Sequence, residues 1–455
     1  MASTSLDSLF RPKSIAVIGA SDKPNRIGFQ VMRSLQLGKF PGTIYPINPR
    51  LKTVLGLSAY PSVDVVPDEV DLAIIVLRKE RVLDAVYASG RKGVKSLIVM
   101  SSGFSELGDA AAEGELIKLV QEHGMRMLGP NCAGYASTWE NISASFENRL
   151  QRGHLAFITQ SGAMSAVVLA LARAAGLGLS IFVSYGNAAD IGPEELLQYL
   201  QSHKPTQIIG GYLEGITNAR HFLTVAQNIT PHKPLVVLKP GNTIEASRAI
   251  RTHTGAMAGD QAIYAGAFRQ AGILQATSLD EFIDACQVLV TQPLPTGKRV
   301  GIVTNAGGPG VLAVDACAEV DLDVSPFPPN LVEMFKAFLP AFCPIGNPVD
   351  VGPEGTPEIY QQVTEVLLMH SDVDMVLVLN VPTAFTSILA ISKAIGEAKK
   401  SNPLKPLITC WLAGDIVEEG LPILAQHEIP NFPSPKRAAK ALHFLSQRAE
   451  WLSSH

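Results

Sequence analysis

Two stretches of the chain read as diverged copies of one another, and that repeat limits the architecture more than any other feature. HLAFITQSGAMSAVVLA, from His154, aligns with RVGIVTNAGGPGVLAVD, from Arg299; GNAADIGPEELLQYL, from Gly186, aligns with GNPVDVGPEGTPEIY, from Gly346. Further on, IIGGYLEGI near Ile209 corresponds to MVLVLNVPT near Met375, and LVVLKPG from Leu235 to LITCWLAG from Leu407. All pairs keep the same order, as expected of two similar structural units placed in tandem. Each unit alternates a short aliphatic run with a helix-length spacer, the pattern of a parallel sheet wound with helices.

The segment before the repeat has the same rhythm. Runs at 14–18, 43–47, 72–77 and 96–100 are aliphatic and bounded by turn formers, and a short fifth run spans 125–128. Parallel strands buried on both faces take this near-continuous apolar form. A less regular stretch, 131–152, separates this segment from the first copy, and TQPLPTGK from Thr291 separates the two copies. The expected fold class is therefore α/β with three domains, at 1–130, 150–291 and 298–455.

Composition bounds the function. A net charge of −4 and a pI near 6.2 leave no broad basic field, so nucleic acid is not an expected partner. The five cysteines are odd in number and lack C-x-x-C spacing, which argues against a disulfide framework or a zinc site and fits a reducing cytoplasm. The start, MASTSLDSLFRP, lacks the basic and apolar regions of an export signal, and the apolar stretch 166–183 is broken by Arg173 and glycines. Neither export nor membrane spanning is expected, and no metal ligand set is discerned.

Several loops carry candidate chemistry. In SIAVIGASDKPNRIG a strand ends at Gly19, Ala20, Ser21 and Lys23, and a helix opens at Ile27 and Gly28. Such a turn aims backbone N–H groups at a phosphate. The spacing is not G-x-G-x-x-G, and the second strand ends in Asn48, Pro49 and Arg50 without an acid for a ribose diol, which disfavours a nicotinamide dinucleotide. Lys23, Arg26, Arg50 and Lys52 suit the phosphates of an extended anion such as coenzyme A; an ordinary turn with solvated charges is the bland alternative. Ser101, Ser102 and Gly103 follow the fourth strand, and GPNCAG, with Asn131 and Cys132, follows the fifth. Both would share the ligand-binding carboxyl edge. No base adjoins Cys132 in sequence, so it reads as a buried residue rather than a nucleophile.

Ser161, Gly162 and Ala163 place another small-residue turn at a helix start, either a plain N-cap or an anion site. After the third strand pair the first copy carries about 17 residues more than the second, close to IEASRAIRTHTGAMAGD. His253 lies in that insertion among hydroxyls and glycines. A neutral imidazole can accept a phosphoryl group and release it again, given a carboxylate to orient it. Glu214, at the end of YLEGI, is the candidate, and the second copy has no acid there. The bland alternative is a loop histidine without chemistry.

SIAVIGAS, GPNCAG, ITQSGAMS, GNAADIG, YLEGI, KPG, THTGAMAG, TNAGGPG and NPVD occur in an order that resembles the α subunits of ADP-forming acyl-CoA synthetases, relatives of succinyl-CoA synthetase. The resemblance covers essentially the whole chain. It implies a Rossmann-like CoA-binding domain followed by two flavodoxin-like ligase domains. It also implies phosphorylation at His253 with Glu214 as the stabilising acid, Ser161 to Ala163 at the phosphate, and Asn187 and Asp190 at the acyl-phosphate pocket. The coenzyme A contacts it suggests are Gly19, Ala20, Ser21, Lys23, Ile27, Gly28, Asn48, Lys52, Ser101, Ser102, Gly103, Asn131 and Cys132. The loop departs from the family pattern in having Thr252 where serine is common and Asp260 and Gln261 where serine and an acid often follow.

The family holds ATP or ADP, with Mg2+, on an ATP-grasp module, and no stretch of this chain reads as one. An ATP-grasp β subunit is therefore the expected partner, in a hetero-oligomer such as α2β2, with a small carboxylic acid as substrate. The alternative function is a non-catalytic coenzyme A or acyl-CoA sensor.

Overall fold

The computed structural model describes residues 6–147, 150–241, 243, 245–246 and 261–455. The chain divides into two compact units, Met1–Thr277 and Ser278–His455.

The first unit contains two sheets. In the first, β1 (Ser14–Ile18), β2 (Thr43–Ile47), β5 (Leu72–Ile75), β6 (Ser96–Val99) and β7 (Arg126–Leu128) are all parallel in the order β2-β1-β5-β6-β7; a small hairpin, β3 (Thr53–Val54) and β4 (Leu57–Ser58), lies outside it. Every residue of β1, β5 and β6 is buried, so these runs are aliphatic without alternation. Burying one such Val, Leu or Ile side chain contributes about 1.5–3 kcal/mol.

The second sheet joins β8 (Gly134–Ser137), β9 (Ile142–Ser145), β10 (Arg152–Thr159), β11 (Leu179–Ser184), β12 (Ile208–Tyr212), β13 (Leu235–Leu238) and β14 (Ile273–Ala276) in the order β14-β13-β12-β10-β11-β8-β9. Its five later strands are parallel and wound as in the first sheet. The order reverses between β10 and β12, and a wound sheet opens a crevice at its carboxyl edge where this occurs. The stretch expected to be irregular instead forms β8 and β9, which add antiparallel strands to the edge. Their short runs, GYAS and ISAS, give no strong apolar period; β8 pairs with Ile181–Ser184 opposite, and β9 pairs in turn with β8.

Two seams join the sheets of this unit. Beside β9, a Cβ on Gly38 would stand 3.1 Å from Ser143 Oγ, so the helix Ile27–Leu37 ends tight against that strand. At the other, Asp190 accepts from Arg126 Nε at 3.1 Å and from the Met127 N–H at 2.7 Å, while Arg126 Nη2 reaches Glu195 at 2.7 Å.

In the second unit β15 (Val300–Thr304), β16 (Val349–Asp350), β17 (Met375–Asn380) and β18 (Leu407–Trp411) form a parallel sheet ordered β16-β15-β17-β18. The helix Leu279–Thr291, N-capped by Ser278, packs here against the long helix Pro435–Ser454. Arg437 grips Asp284 with two 2.7 Å hydrogen bonds. All five cysteines are free and buried. No helix among the described residues is long and apolar enough to cross a membrane.

Candidate functional site

At the carboxyl edge of the first sheet lies a cavity of about 560 Å³. Its lining includes Gly19, Ser21, Lys23, Asn48, Arg50 and Arg81. Gly19 has φ +99°, and a Cβ there would stand 2.8 Å from the Val76 carbonyl, so glycine alone leaves the turn open. A Cβ on Gly28 would stand 2.1 Å from the Gly19 carbonyl, so the helix Ile27–Leu37 starts directly on that turn. Asn48 ties the ends of β1 and β2 together. Its Nδ2 donates to the Ala20 carbonyl at 2.8 Å, and its Oδ1 accepts from the Arg50 N–H at 2.9 Å. Ser21 accepts from the Lys23 N–H at 3.1 Å. Ile27 is exposed at the helix start, and Lys52 is exposed outside the cavity lining.

Three cations around a glycine turn fit a phosphate-bearing ligand, and the volume is that of a small-molecule site. Arg81 and Asp84 also line this cavity, although no local motif marks them. They follow β5, so the rule that ligands lie along the carboxyl edge could have pointed to them.

Further along the edge, Ser101 is buried and donates to the Leu77 carbonyl at 2.6 Å, whereas Ser102 is exposed. The N–H groups of Gly103 and Phe104 donate to Glu106, so the anion they hold is one of the protein's own. Burial works to raise the Glu106 pKa, but the Asn187 amide and these N–H groups outweigh it and hold the carboxyl below its ordinary range. Asn187 Nδ2 donates to Glu106 and to Glu113, each at 2.7 Å, and its Oδ1 accepts from Asn131 at 3.2 Å. Asn131 and Asn187 are thus brought together, while Asp190 is engaged in the Arg126 seam. Cys132 is 4% exposed, with its sulfur 3.4 Å from the Val99 carbonyl, and burial pushes its thiol up to about 12.

The third group lies where β10 and β12 diverge. Ser161 caps the helix Gly162–Ala174, accepting from the Met164 N–H at 3.3 Å, and Gly162 and Ala163 form its first turn. Gln160 Oε1 accepts from the Glu214 N–H at 2.5 Å and the Gly215 N–H at 2.9 Å, which fixes the end of β12. Behind it, burial and then the Glu214 charge raise the Tyr212 pKa to about 12. Lys239, following β13, is 4% exposed, and its Nζ stands 3.5 Å from the Glu214 carbonyl. His253 lies outside the described residues.

The second copy repeats this construction. Thr159 and Thr304 each accept from the N–H two residues on, at 3.1 Å in both. Asn305 takes the place of Gln160, accepting from the Val381 N–H at 2.9 Å. Glu214 and Val381 are therefore equivalent positions.

Comparison with known proteins agrees with this geometry. The CoA binding domain family matches residues 13–138, the succinyl-CoA ligase like flavodoxin domain residues 152–289, and the Ligase-CoA domain residues 300–454. Over 98% of both chains, this one is 37% identical to the α subunit of acetate–CoA ligase [ADP-forming] II from Pyrococcus furiosus. The chain belongs to the ADP-forming acyl-CoA synthetases. Within that family its extent is that of an α subunit, and α-subunit relatives imply a partner subunit. It covers 63% of a longer relative, acetate–CoA ligase [ADP-forming] I from Archaeoglobus fulgidus, at 36% identity over 97% of its own length. A solved structure, the dinucleotide-forming acetyl-coenzyme A synthetase 1 of Candidatus Korarchaeum cryptofilum in complex with phosphate and ADP, superposes with a TM-score of 0.94. The two are 37% identical, over 99% of this chain and 98% of that one. The Gly19 cavity thus belongs to the CoA-binding domain of an ADP-forming acyl-CoA synthetase, and the Ser161 and Glu214 turns belong to its first flavodoxin-like domain.

Proposed function

We propose that this α subunit interconverts acyl-CoA, a nucleoside diphosphate and phosphate with a carboxylic acid, coenzyme A and a nucleoside triphosphate, using His253 as the phosphoryl carrier. The carrying observation is the one-sided construction of the repeat: Gln160 fixes a strand end bearing Glu214 in the first copy, where the second has Val381. That acid precedes, in sequence, the insertion that holds His253.

In the acyl-CoA-consuming direction, a phosphate oxygen attacks the thioester carbonyl and the C–S bond breaks, releasing coenzyme A and leaving an acyl phosphate. A His253 ring nitrogen then attacks phosphorus. The P–O bond to the acyl group breaks, the carboxylate departs, and the imidazole keeps the proton on its other ring nitrogen, so the phosphorylated ring is cationic and leaves as neutral imidazole in the next step. Attack by the terminal oxygen of the diphosphate on the phosphohistidine forms the triphosphate and restores the imidazole. Glu214 orients the ring and offsets its charge while phosphorylated. Ser161, Gly162 and Ala163 offer helix-start N–H groups to the phosphoryl oxygens. Asn187 and Asp190 border the acyl side; Asp190 also serves the seam already described.

The Gly19, Ser21, Lys23 and Asn48 turn, with Arg50 and Arg81, receives the nucleotide end of coenzyme A. The edge from Ser101 to Gly103 and on to Asn131 leads its thiol toward Ser161. The nucleotide and Mg2+ are assigned to an ATP-grasp β subunit, in an assembly such as α2β2 within the cytoplasm. The modules are taken as 1–130, 150–291 and 298–455.

The test is labelling of the assembled enzyme with radiolabelled acetyl phosphate. An acid-labile, alkali-stable label that maps to His253 and is lost in His253→Ala is expected. Wild-type protein that binds coenzyme A but never labels would leave the sensor alternative standing.

A further inference from the structure

Lys239 is a charge in a place where the duplicated fold does not need one. It follows β13, and the strand register Tyr212↔Leu238 in the first copy matches Leu379↔Cys410 in the second. Lys239 is therefore equivalent to Trp411, which is 1% exposed and fills the second core. One copy of the fold uses this position for a large apolar side chain; the other buries an ammonium there, 4% exposed.

Its described neighbours do not neutralise it. Its Nζ reaches the carbonyls of Glu214 at 3.5 Å and Pro240 at 3.4 Å, both at the long limit of hydrogen bonding, and lies 4.5 Å from the centre of the Tyr264 ring. Among the described residues no carboxylate forms an ion pair with it. Burial pulls its pKa down, as expected of an ammonium short of counter-charge. One backbone it touches is that of Glu214, another position where the first copy carries a charged side chain and the second, at Val381, an apolar one.

Two one-sided charges on adjacent strand ends, absent together from the sister copy, mark a common role. We propose that Lys239 is a positioning residue supplying the counter-charge for the phosphoryl oxyanion handled beside Glu214. This rests on the phosphoryl-carrier reading above. A dianionic phosphoryl group at this strand end needs a fixed cation, and a preorganised one requires no rearrangement when the group arrives. The Tyr264 ring and the two carbonyls hold the ammonium in place without cancelling its charge.

The assembled enzyme is compared as wild type, Lys239→Met, Lys239→Arg and His253→Ala. The readouts are the initial rate of labelling by radiolabelled acetyl phosphate, the KM for inorganic phosphate during acyl-CoA cleavage, and the Kd for coenzyme A. Lys239→Met is expected to slow labelling by about a hundredfold and to raise the KM for phosphate at least tenfold, with the Kd for coenzyme A unchanged. Lys239→Arg is expected to recover most of the loss. Wild-type labelling and KM in Lys239→Met overturn the proposal. So does a loss of labelling that coenzyme A binding and the thermal transition share, since the lysine is then structural. Undiminished labelling of His253→Ala instead overturns the phosphohistidine reading, whatever Lys239→Met does.

Discussion

Gly28→Ala is a small change with a large calculable consequence. The added Cβ would stand 2.1 Å from the Gly19 carbonyl oxygen, 3.0 Å from its carbon and 3.2 Å from the Ala20 Cα. Ordinary contact begins near 3.4 Å, so the helix start must retreat by roughly 1.3 Å. The obstruction is backbone on both sides, with no flexible side chain to yield. Overpacking of this kind costs about 1–3 kcal/mol of stability. Displacement of about 1 Å at a positioned site costs about a hundredfold in function, equivalent to about 2.7 kcal/mol. Titration calorimetry should therefore find coenzyme A bound about a hundredfold more weakly, and thermal unfolding should begin earlier. Gly114→Ala is the control: it lies within the helix Ala110–Glu122 with nothing inside 4 Å of its Cβ, and should stabilise by up to about 1 kcal/mol without affecting binding. Unchanged affinity and stability in Gly28→Ala would refute the claim that the Gly19 turn and the helix start form one rigid cradle.

Asp190→Ala removes one of the carboxylates that hold Arg126, which keeps Glu195, and orphans the Met127 N–H; chemical denaturation should register a loss of about 1–3 kcal/mol. Gln160→Ala orphans the N–H groups of Glu214 and Gly215, and should cost about 1–3 kcal/mol while slowing acetyl phosphate labelling more than it weakens coenzyme A binding. Because the folded-state pKa of Glu106 is depressed, its contribution is present above the ordinary Glu pKa of about 4.3 and disappears as pH falls through the folded value. Acid titration of Glu106→Gln should accordingly give a shallower loss of stability below pH ~4 than wild type. All five cysteines should resist a thiol reagent in the native protein and react on unfolding; prompt reaction of Cys132 would contradict its burial.

Much of the fold is legible in the sequence because parallel strands buried on both faces admit little except aliphatic residues. The runs beginning at Ser14, Ser96 and Leu235 become strands for that reason. β8 and β9 carry no comparable run; β8 is placed by the edge of β11, more than 30 residues away, and β9 by β8 and by contact with the helix Ile27–Leu37. The site divides in the same way. Gly19 and Asn48 are legible because a turn imposes their chemistry locally. Arg81 is legible only through its strand, and the engagement of Asn187 with Glu106 and Glu113 spans more than 70 positions that no local pattern records. Lys239 was hidden differently: a lysine beyond a strand usually signals solvent, and only packing reveals this one as buried.

The repeat converts that hidden burial into a functional argument. Two copies of one fold face the same physical demands, so features they share, such as the Thr159 and Thr304 turns and the Gln160 and Asn305 clamps, are what the architecture requires. Features that differ are free of that requirement. Where the second copy places Val381 and the buried Trp411, the first places the half-buried Glu214 and the buried Lys239, whose ammonium pays desolvation without improving packing. A buried ammonium at the end of β13, beside the strand end that bears Glu214, needs a reason outside the fold. A phosphoryl group on an oriented imidazole supplies one, because the transient cation and the dianion each require an opposite charge already in position.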